Sequence, residues 1–195
     1  FTLWTGERSY SLPNAPCTRK FKRRWANEQR INHAEERNKK KGNLDLSKTK
    51  LYISPTNNPF ENLALEEWAL QNFNTQDSNL LILYVNEPCV VVGRNQNIFE
   101  EVNVRYCSEN QIEITRRISG GGTVFHDLGN LNWTHITSFD SKKVNSYEWA
   151  AKPIIDALKG FNLDAYLTDR NAIEISGLKV SGQAQFTNRK NILSH

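Results

Sequence analysis

The pattern of apolar and polar positions changes near residue 50. Residues 1–50 contain few apolar side chains, and these follow no clear period. From Leu51 onward, apolar runs of four to six residues alternate with short polar segments, which is typical of strands in a folded core. We therefore predict a folded domain over residues 51–195, preceded by a tail over residues 1–50 that is disordered or weakly helical.

A helix is predicted to begin at Asn58-Pro59. Asparagine caps a first turn with its side chain, and proline suits the first helical position. The apolar residues that follow recur at intervals of four, at Phe60, Ala64 and Trp68. This spacing predicts an amphipathic helix that ends near Phe73, with Glu66 and Glu67 on its solvent face.

The other apolar runs predict strands joined by turns. They cover residues 51–54, 80–85, 89–93, 112–115, 123–126, 131–136, 172–175 and 178–182. A second helix is predicted from its cap Ser146 to about Leu158, with Ile154 and Ile155 buried and a kink or new start at Pro153. Strands connected by hairpins, with helices between them, indicate an α+β fold with a mostly antiparallel sheet packed with helices.

Three consecutive glycines, Gly120 to Gly122, follow Arg116 and Arg117 at the end of a predicted strand. Glycine loses the most conformational freedom on folding, so an ordered triplet indicates that the backbone needs positive φ or a close neighbour. Guanidinium groups and main-chain N–H groups both suit phosphate oxygens, which favours an anion as that neighbour. The alternative is a glycine-rich hairpin loop with solvated arginines.

Lys179 is a second candidate for binding an anion. Alternation along its predicted strand places Leu178 and Val180 on one face and Lys179 on the other. In one interpretation Lys179 projects into a groove beside the glycine loop. There it would hold a carboxylate and a nucleotide phosphate, and stabilise the charge that develops as an acyl phosphate forms. In the other interpretation it is a solvated lysine on an open sheet face.

Several familiar kinds of site are excluded by spacing. Ser119 lies outside any GxSxG elbow, so it is not predicted to be a hydrolase nucleophile. The glycine triplet matches neither GxGxxG nor the P-loop pattern. The histidines lack metal-ligand spacing, and the cysteines lack CxxC spacing, which argues against a zinc site or a disulfide framework.

Charge is distributed unevenly along the chain. Residues 1–50 hold 13 lysines and arginines against five acids, whereas the other 145 residues hold 12 against 16. The basic excess belongs to the tail, so we predict no nucleic-acid-binding face on the folded domain. A basic start is compatible with a transit-peptide remnant, although such peptides avoid acids such as Glu35 and Glu36. Nuclear targeting or nucleic-acid contact by the tail is the alternative.

Four motifs, in this order along the chain, resemble the lipoate–protein ligase A / lipoyltransferase family. They are residues 58–67 (NPFENLALEE), 91–97 (VVGRNQN), 116–130 (RRISGGGTVFHDLGN) and 179–184 (KVSGQA). The resemblance covers about residues 51–195 and implies the α+β fold shared with biotin–protein ligases. It also implies that ATP, with Mg²⁺, activates lipoate to lipoyl-AMP, and that the lipoyl group passes to a lysine of a partner protein.

The resemblance implies a role for each matching residue. Lys179 would be the catalytic residue and would bind both the lipoyl carbonyl and the α-phosphate, while Arg117 would contact the adenylate. The further nucleotide and acyl contacts would be Ser119, Gly120, Gly121, Gly122, Thr123, Val124, Phe125, His126, Asn130 and Asn171. No residue is assigned to a metal.

The resemblance also implies partners and a location. The acceptors would be lipoyl domains of 2-oxoacid dehydrogenase acyltransferase subunits and the glycine-cleavage H protein. Together with the basic tail, it predicts a eukaryotic, mitochondrial and monomeric member of the family, with a cytoplasmic location as the alternative. No apolar run is long enough to span a bilayer, so we predict no membrane partner, and no nucleic-acid partner is implied.

Departures from the family pattern leave alternatives open. Asn171 is followed by Ala172 where family members commonly carry aspartate, so a transfer-only lipoyl or octanoyl transferase is an alternative to a ligase. A non-catalytic module that binds lipoyl domains is another. The chain has no methionine, even at position 1, and stops at His195, where the family's His-His-Gly stretch would lie. We therefore expect a C-terminally truncated fragment that also lacks the family's accessory domain.

Overall fold

The computed structural model describes residues 2–5, 8–11 and 48–195. Its helices are α1 (Pro59–Asn72), α2 (Ile98–Glu101), α3 (Val104–Glu109) and α4 (Glu148–Gly160). Its strands are β1 (Thr2–Thr5), β2 (Arg8–Ser11), β3 (Thr49–Ile53), β4 (Asn79–Val85), β5 (Cys89–Val92), β6 (Glu113–Arg116), β7 (Val124–His126), β8 (Leu131–Ser138), β9 (Ala165–Leu167), β10 (Ala172–Ile175), β11 (Leu178–Gly182), β12 (Gln185–Thr187) and β13 (Asn191–Ser194). The α+β class predicted from the sequence is confirmed.

The strands of the described residues form four sheets. The largest has the order β12-β13-β8-β4-β3, two three-stranded sheets have the orders β6-β5-β7 and β11-β10-β9, and β1 pairs with β2. Most neighbours are antiparallel, as predicted, but β3 with β4 and β5 with β6 are parallel. Parallel neighbours need a crossover connection, which α1 supplies in the first case and α2 with α3 in the second.

The start of the chain differs in part from the predicted tail. β1 and β2 form an antiparallel pair, with Thr2 opposite Ser11, where the sequence pattern predicts a disordered or weakly helical segment. Strand β3 already begins at Thr49 within the predicted tail, whereas residues 1, 6–7 and 12–47, with the basic runs and Cys17, lie outside the described residues. Among the residues that are described, no helix has both the length and the apolar character needed to cross a bilayer.

Helix α1 begins and ends where the sequence predicts. The Asn58 side chain accepts hydrogen bonds from the backbone N–H groups of Phe60 (2.9 Å) and Glu61 (3.2 Å). At the other end, the Phe73 N–H bonds to the Ala69 carbonyl and closes the last turn. The cap and the proline at the first position therefore fix the start of the helix, as their residue types indicate.

The buried face of α1 is not the predicted one. Phe60, Ala64 and Trp68 are only partly buried, whereas the buried positions include Asn62, Leu65, Glu66, Ala69 and Leu70. The prediction that Glu66 faces solvent is wrong, because its side chain is 1% exposed. A search for apolar residues misses this face, since two of its members are polar side chains that are buried with polar partners.

The main core lies between α1 and the five-stranded sheet. It is formed by Tyr52, Leu65, Ala69, Leu70, Phe73, Leu80, Ile82, Tyr84, Ile136 and Leu193. Ile82 of β4 is fully buried in this core, whereas Ile53 is 65% exposed on the edge strand β3. The two isoleucines therefore form a matched pair for testing where the core lies.

Ile82→Ala is expected to lower the free energy of unfolding by about 3 kcal/mol, because it removes buried methyl groups and leaves a cavity. Urea denaturation followed by circular dichroism measures this loss. In the control variant Ile53→Ala, the free energy of unfolding should change by about 0.5 kcal/mol or less, since the side chain is mostly exposed. Equal losses in the two variants would contradict this placement of the core.

Helix α4 matches the predicted second helix with two differences. It is continuous from Glu148 to Gly160 although Pro153 lies inside it. The predicted cap Ser146 is wrong, because Tyr147 precedes the first turn and makes no capping bond with its side chain. As predicted, one face packs inward: Ile154, Ile155 and Leu158 contact the buried cluster of Ala151, Ala165 and Ile173.

His135 of β8 is a buried histidine between the large sheet and α4. It is 3% exposed and packs against Trp149, with ring centroids 5.3 Å apart. Burial, together with the charge of Lys143, lowers the pKa of His135 to about 4. In the unfolded chain the pKa of a histidine is about 6.5, so the unfolded state binds the proton more readily. Stability should therefore fall as the pH drops from about 6.5 towards 4.

When the pH is lowered from about 7 to about 5, protonation of His135 in the unfolded chain is expected to reduce the free energy of unfolding by about 2 kcal/mol. His135→Gln removes the titrating group, so the pH-dependent loss over this interval should shrink by about that amount. Urea denaturation of both proteins at the two pH values measures the difference. The interpretation fails if the variant shows the same pH dependence as the parent.

Candidate active site

The glycine triplet lies in the loop between β6 and β7, the two strands that flank β5. Gly121 has a φ of 92°, in the left-handed region that favours glycine. Gly93, directly after β5, lies so close to the loop that a Cβ there would be 2.1 Å from the Gly121 carbonyl oxygen. The positive φ predicted for the triplet is present at Gly121, whereas the close approach occurs at Gly93, and a Cβ at Gly120 or Gly122 would meet no atom within 4 Å.

Arg117 holds the loop from inside the protein, where it is 8% exposed. Its Nε donates to Ser119 Oγ (3.0 Å) and its Nη1 to the Val91 carbonyl (3.2 Å). Its Nη2 donates to the carbonyl groups of Gly120 (2.7 Å) and Gly122 (2.8 Å). Arg117 therefore draws the carbonyl groups of the loop inward, and its predicted contact with an adenylate stays a prediction.

The main-chain N–H groups of the loop are left for other partners. Within residues 48–195, no acceptor receives a hydrogen bond from the N–H groups of Gly120, Gly121 or Gly122. Arg117 binds two carbonyl oxygens of the same segment, so these two oxygens already have a partner within the protein. Successive N–H groups without protein partners are candidates for binding the oxygens of an anion.

The polar segment after β5 forms a second side of the site. Arg116 Nη1 donates to the carbonyl groups of Gly93 (2.6 Å) and Gln96 (2.8 Å). Gln96 Oε1 accepts from the Gly93 N–H (2.9 Å) and from Thr123 Oγ1 (2.8 Å). Both arginines before the loop therefore bind backbone carbonyl groups. The sequence pattern instead favours direct contact between these arginines and an anion.

Glu66 of α1 is the buried carboxylate of the site. Its Oε1 accepts from the hydroxyl groups of Tyr84 (2.8 Å) and Thr134, and its Oε2 bonds to His195 Nδ1 (2.8 Å). The other ring nitrogen of His195 lies 2.5 Å from Ser119 Oγ. Burial alone would raise the pKa of Glu66, but the charge of His195 and the hydrogen bonds outweigh this effect, so the pKa is lowered.

His126, at the end of β7, is joined to α1 by a second set of polar side chains. The Asn86 amide nitrogen lies 3.1 Å from His126 Nδ1, and Asn62 of α1 donates to Asn86 Oδ1 at 2.8 Å. Burial lowers the pKa of His126, which favours the neutral ring whose Nδ1 accepts from Asn86. Asn62 and Glu66, one turn apart on α1, therefore support both ends of the loop region.

Three other predicted contacts follow the loop in sequence, two on β7 and one in the turn after it. Val124 is 43% exposed and Phe125 is 53% exposed, while the Asn130 amide donates to Asn132 Oδ1 at 2.9 Å. Exposed apolar side chains just after the glycine loop suit a ligand with an aliphatic part, because burying them is favourable.

Lys179 is exposed on β11, opposite Glu174 of β10. Asn171, at the turn before β10, has a φ of 59°, which asparagine tolerates better than most residues. In the part of the chain that the structure describes, no hydrogen bond or ion pair joins Lys179 to the glycine loop. Lys179 instead lines a cleft of about 490 Å³ with Thr168, Asp169, Arg170, Ala172 and Glu174.

The chain after β11 leads from Lys179 back towards the glycine loop. The N–H of Ala184 donates to the His195 carbonyl (2.8 Å), and the His195 N–H donates to the Ala184 carbonyl (2.9 Å). The side-chain amide of Gln183 is buried, and among the described residues neither its nitrogen nor its oxygen has a hydrogen-bond partner. A buried amide without partners is costly, so this position marks a place for a polar ligand or water.

Residues 58–195, which include the glycine loop, β11 and His195, match the family model of the lipoyl protein ligase A/B catalytic domain. The chain belongs to this family. It is 43% identical over 139 residues to lipoate-protein ligase LplJ of Bacillus subtilis, a match that covers 71% of this chain and 42% of the relative. It is 41% identical over 146 residues to lipoate–protein ligase 1 of Staphylococcus aureus, with 74% and 44% covered. The chain thus spans less than half the length of these curated relatives.

Solved structures of lipoate–protein ligases share the fold. One is of a bi-partite lipoate protein ligase and its E2 lipoyl domain from Thermoplasma acidophilum, with a TM-score of 0.69, 29% identity, and 75% of this chain and 58% of that chain covered. Lipoate-protein ligase A bound with ATP gives a TM-score of 0.69 at 26% identity, with 75% and 64% covered. P. falciparum LipL1 in complex with lipoate gives 0.67 at 30% identity, with 75% and 46% covered. The predicted ligase-like fold is confirmed.

The sequence reasoning missed several residues that build the site. They are Asn62, Glu66, Tyr84, Asn86, Gly93, Gln96, Thr134 and His195. A signal for Glu66 was present, because it falls between Leu65 and Ala69 on a helical face of the α1 sequence. His195 gave no such signal, since its partners are distant in sequence.

Proposed function

We propose that this chain is the catalytic domain of a lipoate–protein ligase. It activates lipoate with ATP to lipoyl-AMP and then transfers the lipoyl group to a lysine of a partner protein. The observation that carries the proposal is the glycine loop, whose carbonyl groups bind Arg117 while its N–H groups are left for an anion. The names of the relatives, and the ATP and lipoate bound to solved members, support the same reaction.

The first step joins lipoate to AMP. A carboxylate oxygen of lipoate attacks the α-phosphorus of ATP, and the bond from this phosphorus to pyrophosphate breaks, so that pyrophosphate leaves with the electron pair. The loop N–H groups bind the phosphate oxygens on which negative charge gathers. Lys179 binds both the carboxylate and the α-phosphate, and its positive charge offsets the repulsion between these two anions.

The second step forms the amide. The neutral amine of the acceptor lysine attacks the lipoyl carbonyl carbon, the bond from this carbon to the phosphate oxygen breaks, AMP leaves, and the amine proton is released to solvent. Lys179 stabilises the charge on the departing AMP, while Val124 and Phe125 contact the aliphatic part of the lipoyl group. The reaction needs no protein nucleophile, which agrees with the complete burial of Ser119.

We propose that a Mg²⁺ ion arriving with ATP binds in the cleft beside Lys179. Asp169 and Glu174 line this cleft, and Mg²⁺ in nucleotide sites is commonly held by one or two carboxylates together with substrate phosphates. These two residues would hold the ion, which would offset the negative charge of the triphosphate. Ala172, at the position where family members commonly carry an aspartate, lines the same cleft. In this chain Asp169 and Glu174 are the acidic residues of that cleft.

Lipoyl domains are the acceptors that this proposal requires. The Thermoplasma acidophilum structure concerns a ligase and its E2 lipoyl domain, which supports acceptors of this type. We extend the proposal to lipoyl domains of 2-oxoacid dehydrogenase acyltransferase subunits and to the glycine-cleavage H protein. We also propose that the protein acts as a monomer in mitochondria, and the support for this location is the basic character of residues 1–50.

A transfer-only enzyme is the second candidate function, because Ala172 replaces an acid in the cleft beside Lys179. Two assays of the full-length protein separate the candidates. Lipoate-dependent ATP–pyrophosphate exchange reports the first step, and transfer from supplied lipoyl-AMP to a purified lipoyl domain reports the second. We expect both activities. Transfer without exchange would establish the transfer-only enzyme, and the absence of both would contradict catalysis and favour a module that binds lipoyl domains.

A further inference from the structure

A buried series of polar groups connects helix α1 with the glycine loop. It runs from Glu66 to His195, from His195 to Ser119 and from Ser119 to Arg117, with distances of 2.8, 2.5 and 3.0 Å. Arg117 then binds the carbonyl groups of the loop. We call these four residues the Glu66 relay.

The Glu66 relay is almost completely excluded from solvent. Glu66 is 1% exposed and Ser119 is 0% exposed, while Arg117 is 8% exposed. A buried carboxylate is stable only with strong partners, and hydroxyl groups from β4 and β8 occupy one oxygen of Glu66 while His195 occupies the other. Glu66 is therefore a fixed point, held by the helix and the large sheet.

Donor and acceptor roles follow from the charge of Glu66. An ionised carboxylate only accepts, so His195 Nδ1 carries the hydrogen that faces it. His195 Nε2 lies 2.5 Å from Ser119 Oγ, which accepts from Arg117 Nε. Each group thus orients the next one, and Ser119 sets the direction of the Arg117 guanidinium towards the loop carbonyl groups.

We propose that Glu66 and His195 are positioning residues for the adenylate-forming loop. Through Ser119 they fix the Arg117 guanidinium, which draws the carbonyl groups of Gly120 and Gly122 inward and leaves the loop N–H groups to the substrate phosphate. This inference rests on the proposed function, which supplies the phosphate. Because a displacement of about 1 Å at a reacting group can cost about 100-fold in rate, loss of the relay should be visible in catalysis.

The same geometry resembles a Ser-His-acid catalytic triad, so a nucleophilic role of Ser119 needs to be weighed. Two observations favour positioning instead. Ser119 is fully buried, so a substrate carbonyl has no direct access to it. Its oxygen also accepts a hydrogen bond from a guanidinium group, which makes the oxygen less nucleophilic. Labelling of Ser119 by a serine-reactive fluorophosphonate would overturn the positioning role.

Glu66→Gln is the first test variant, because it keeps the size of the side chain and removes its charge. We expect kcat/KM in lipoate-dependent ATP–pyrophosphate exchange to fall by about 100-fold, mainly through kcat. The matched control is Glu67→Gln, one position along the same helix, where the carboxylate accepts a hydrogen bond from the exposed Gln71 side chain. The control should retain the parent activity, and thermal unfolding of both variants shows whether the fold is intact.

A double-mutant cycle distinguishes positioning from a general structural role. If Glu66 acts through Ser119, Glu66→Gln should reduce exchange by much less in the Ser119→Ala background than in the parent. Independent, multiplicative losses would contradict the relay. If Glu66→Gln does not fold, His195→Ala with added imidazole replaces it, because imidazole in the vacated site should restore part of the activity. Failure of imidazole to restore any activity would also contradict the relay.

A readout without catalysis keeps this inference separate from the proposed function. The amide ¹⁵N and ¹H chemical shifts of Gly120, Gly121 and Gly122 should change in Glu66→Gln and stay as in the parent in Glu67→Gln. Unchanged loop shifts in Glu66→Gln would overturn the inference even if the parent is an active ligase. An inactive parent with shifted loop amides would instead contradict the proposed function and support the relay.

Discussion

Replacing Lys179 with alanine is expected to lower kcat/KM for lipoate-dependent ATP–pyrophosphate exchange by about 100- to 1,000-fold. This range is typical for the loss of one group that stabilises charge in a transition state. In the proposed mechanism Lys179, which lines the cleft on an exposed strand together with Arg170, binds both the carboxylate and the α-phosphate. Its removal should therefore affect catalysis far more than the free energy of unfolding. The exchange assay and transfer from supplied lipoyl-AMP measure the two steps separately.

Lys190→Ala is the matched control for this experiment. Lys190 is also an exposed lysine, but it lies in the turn between β12 and β13. The control variant should keep both activities, which excludes a general effect of losing one positive charge. If Lys179→Ala retained both activities at the parent level, the role assigned to Lys179 would be wrong.

Gly93→Ala is expected to lower the exchange rate by about 100-fold or more, because the new methyl group displaces the glycine loop. A Cβ at this position would lie 2.1 Å from the Gly121 carbonyl oxygen, and the obstacle is backbone that is itself held by Arg117 through its neighbours. The loop must move, so its N–H groups no longer lie where the proposed function requires them to bind the phosphate. Exchange kinetics measure the effect, and the thermal midpoint measures any accompanying loss of stability.

Gly160→Ala provides the control for the methyl group itself. Gly160 is the last residue of α4, and a Cβ there meets no atom within 4 Å. This variant should leave the exchange rate unchanged. A Gly93→Ala protein with the parent's exchange rate would show that the close approach of the two backbone segments does not matter for the loop.

Local rules predicted the elements that depend on neighbouring residues. The start of α1 follows from Asn58 and Pro59 because capping is a matter of a few adjacent positions. Strand β4 follows from the continuous apolar run over residues 80–85, and its buried side chains pack between α1 and the other strands. The glycine triplet predicted a positive φ, and Gly121 has one.

Features that depend on distant residues escaped prediction. The bond between Glu66 and His195 joins positions 129 residues apart, and nothing in the sequence near either residue indicates the other. A buried glutamate is rare unless it is paired, so a surface position for Glu66 was the ordinary expectation. The close approach of Gly93 to Gly121 escaped for the same reason, since it arises only when β5 and the loop are in place.

The parallel crossover from β3 through α1 to β4 has a consequence for how the site forms. The crossover places Glu66 over the sheet, near the start of the domain sequence. His195 follows the last strand, β13, and Ser119 lies 76 residues before His195. Closing contacts over such separations is slow, so these bonds should form late in folding. The glycine loop is then part of the same cooperative unit as the large sheet. On heating, the loop should lose its order together with the core and not as an independent surface segment, so activity and global stability should decline at the same temperature.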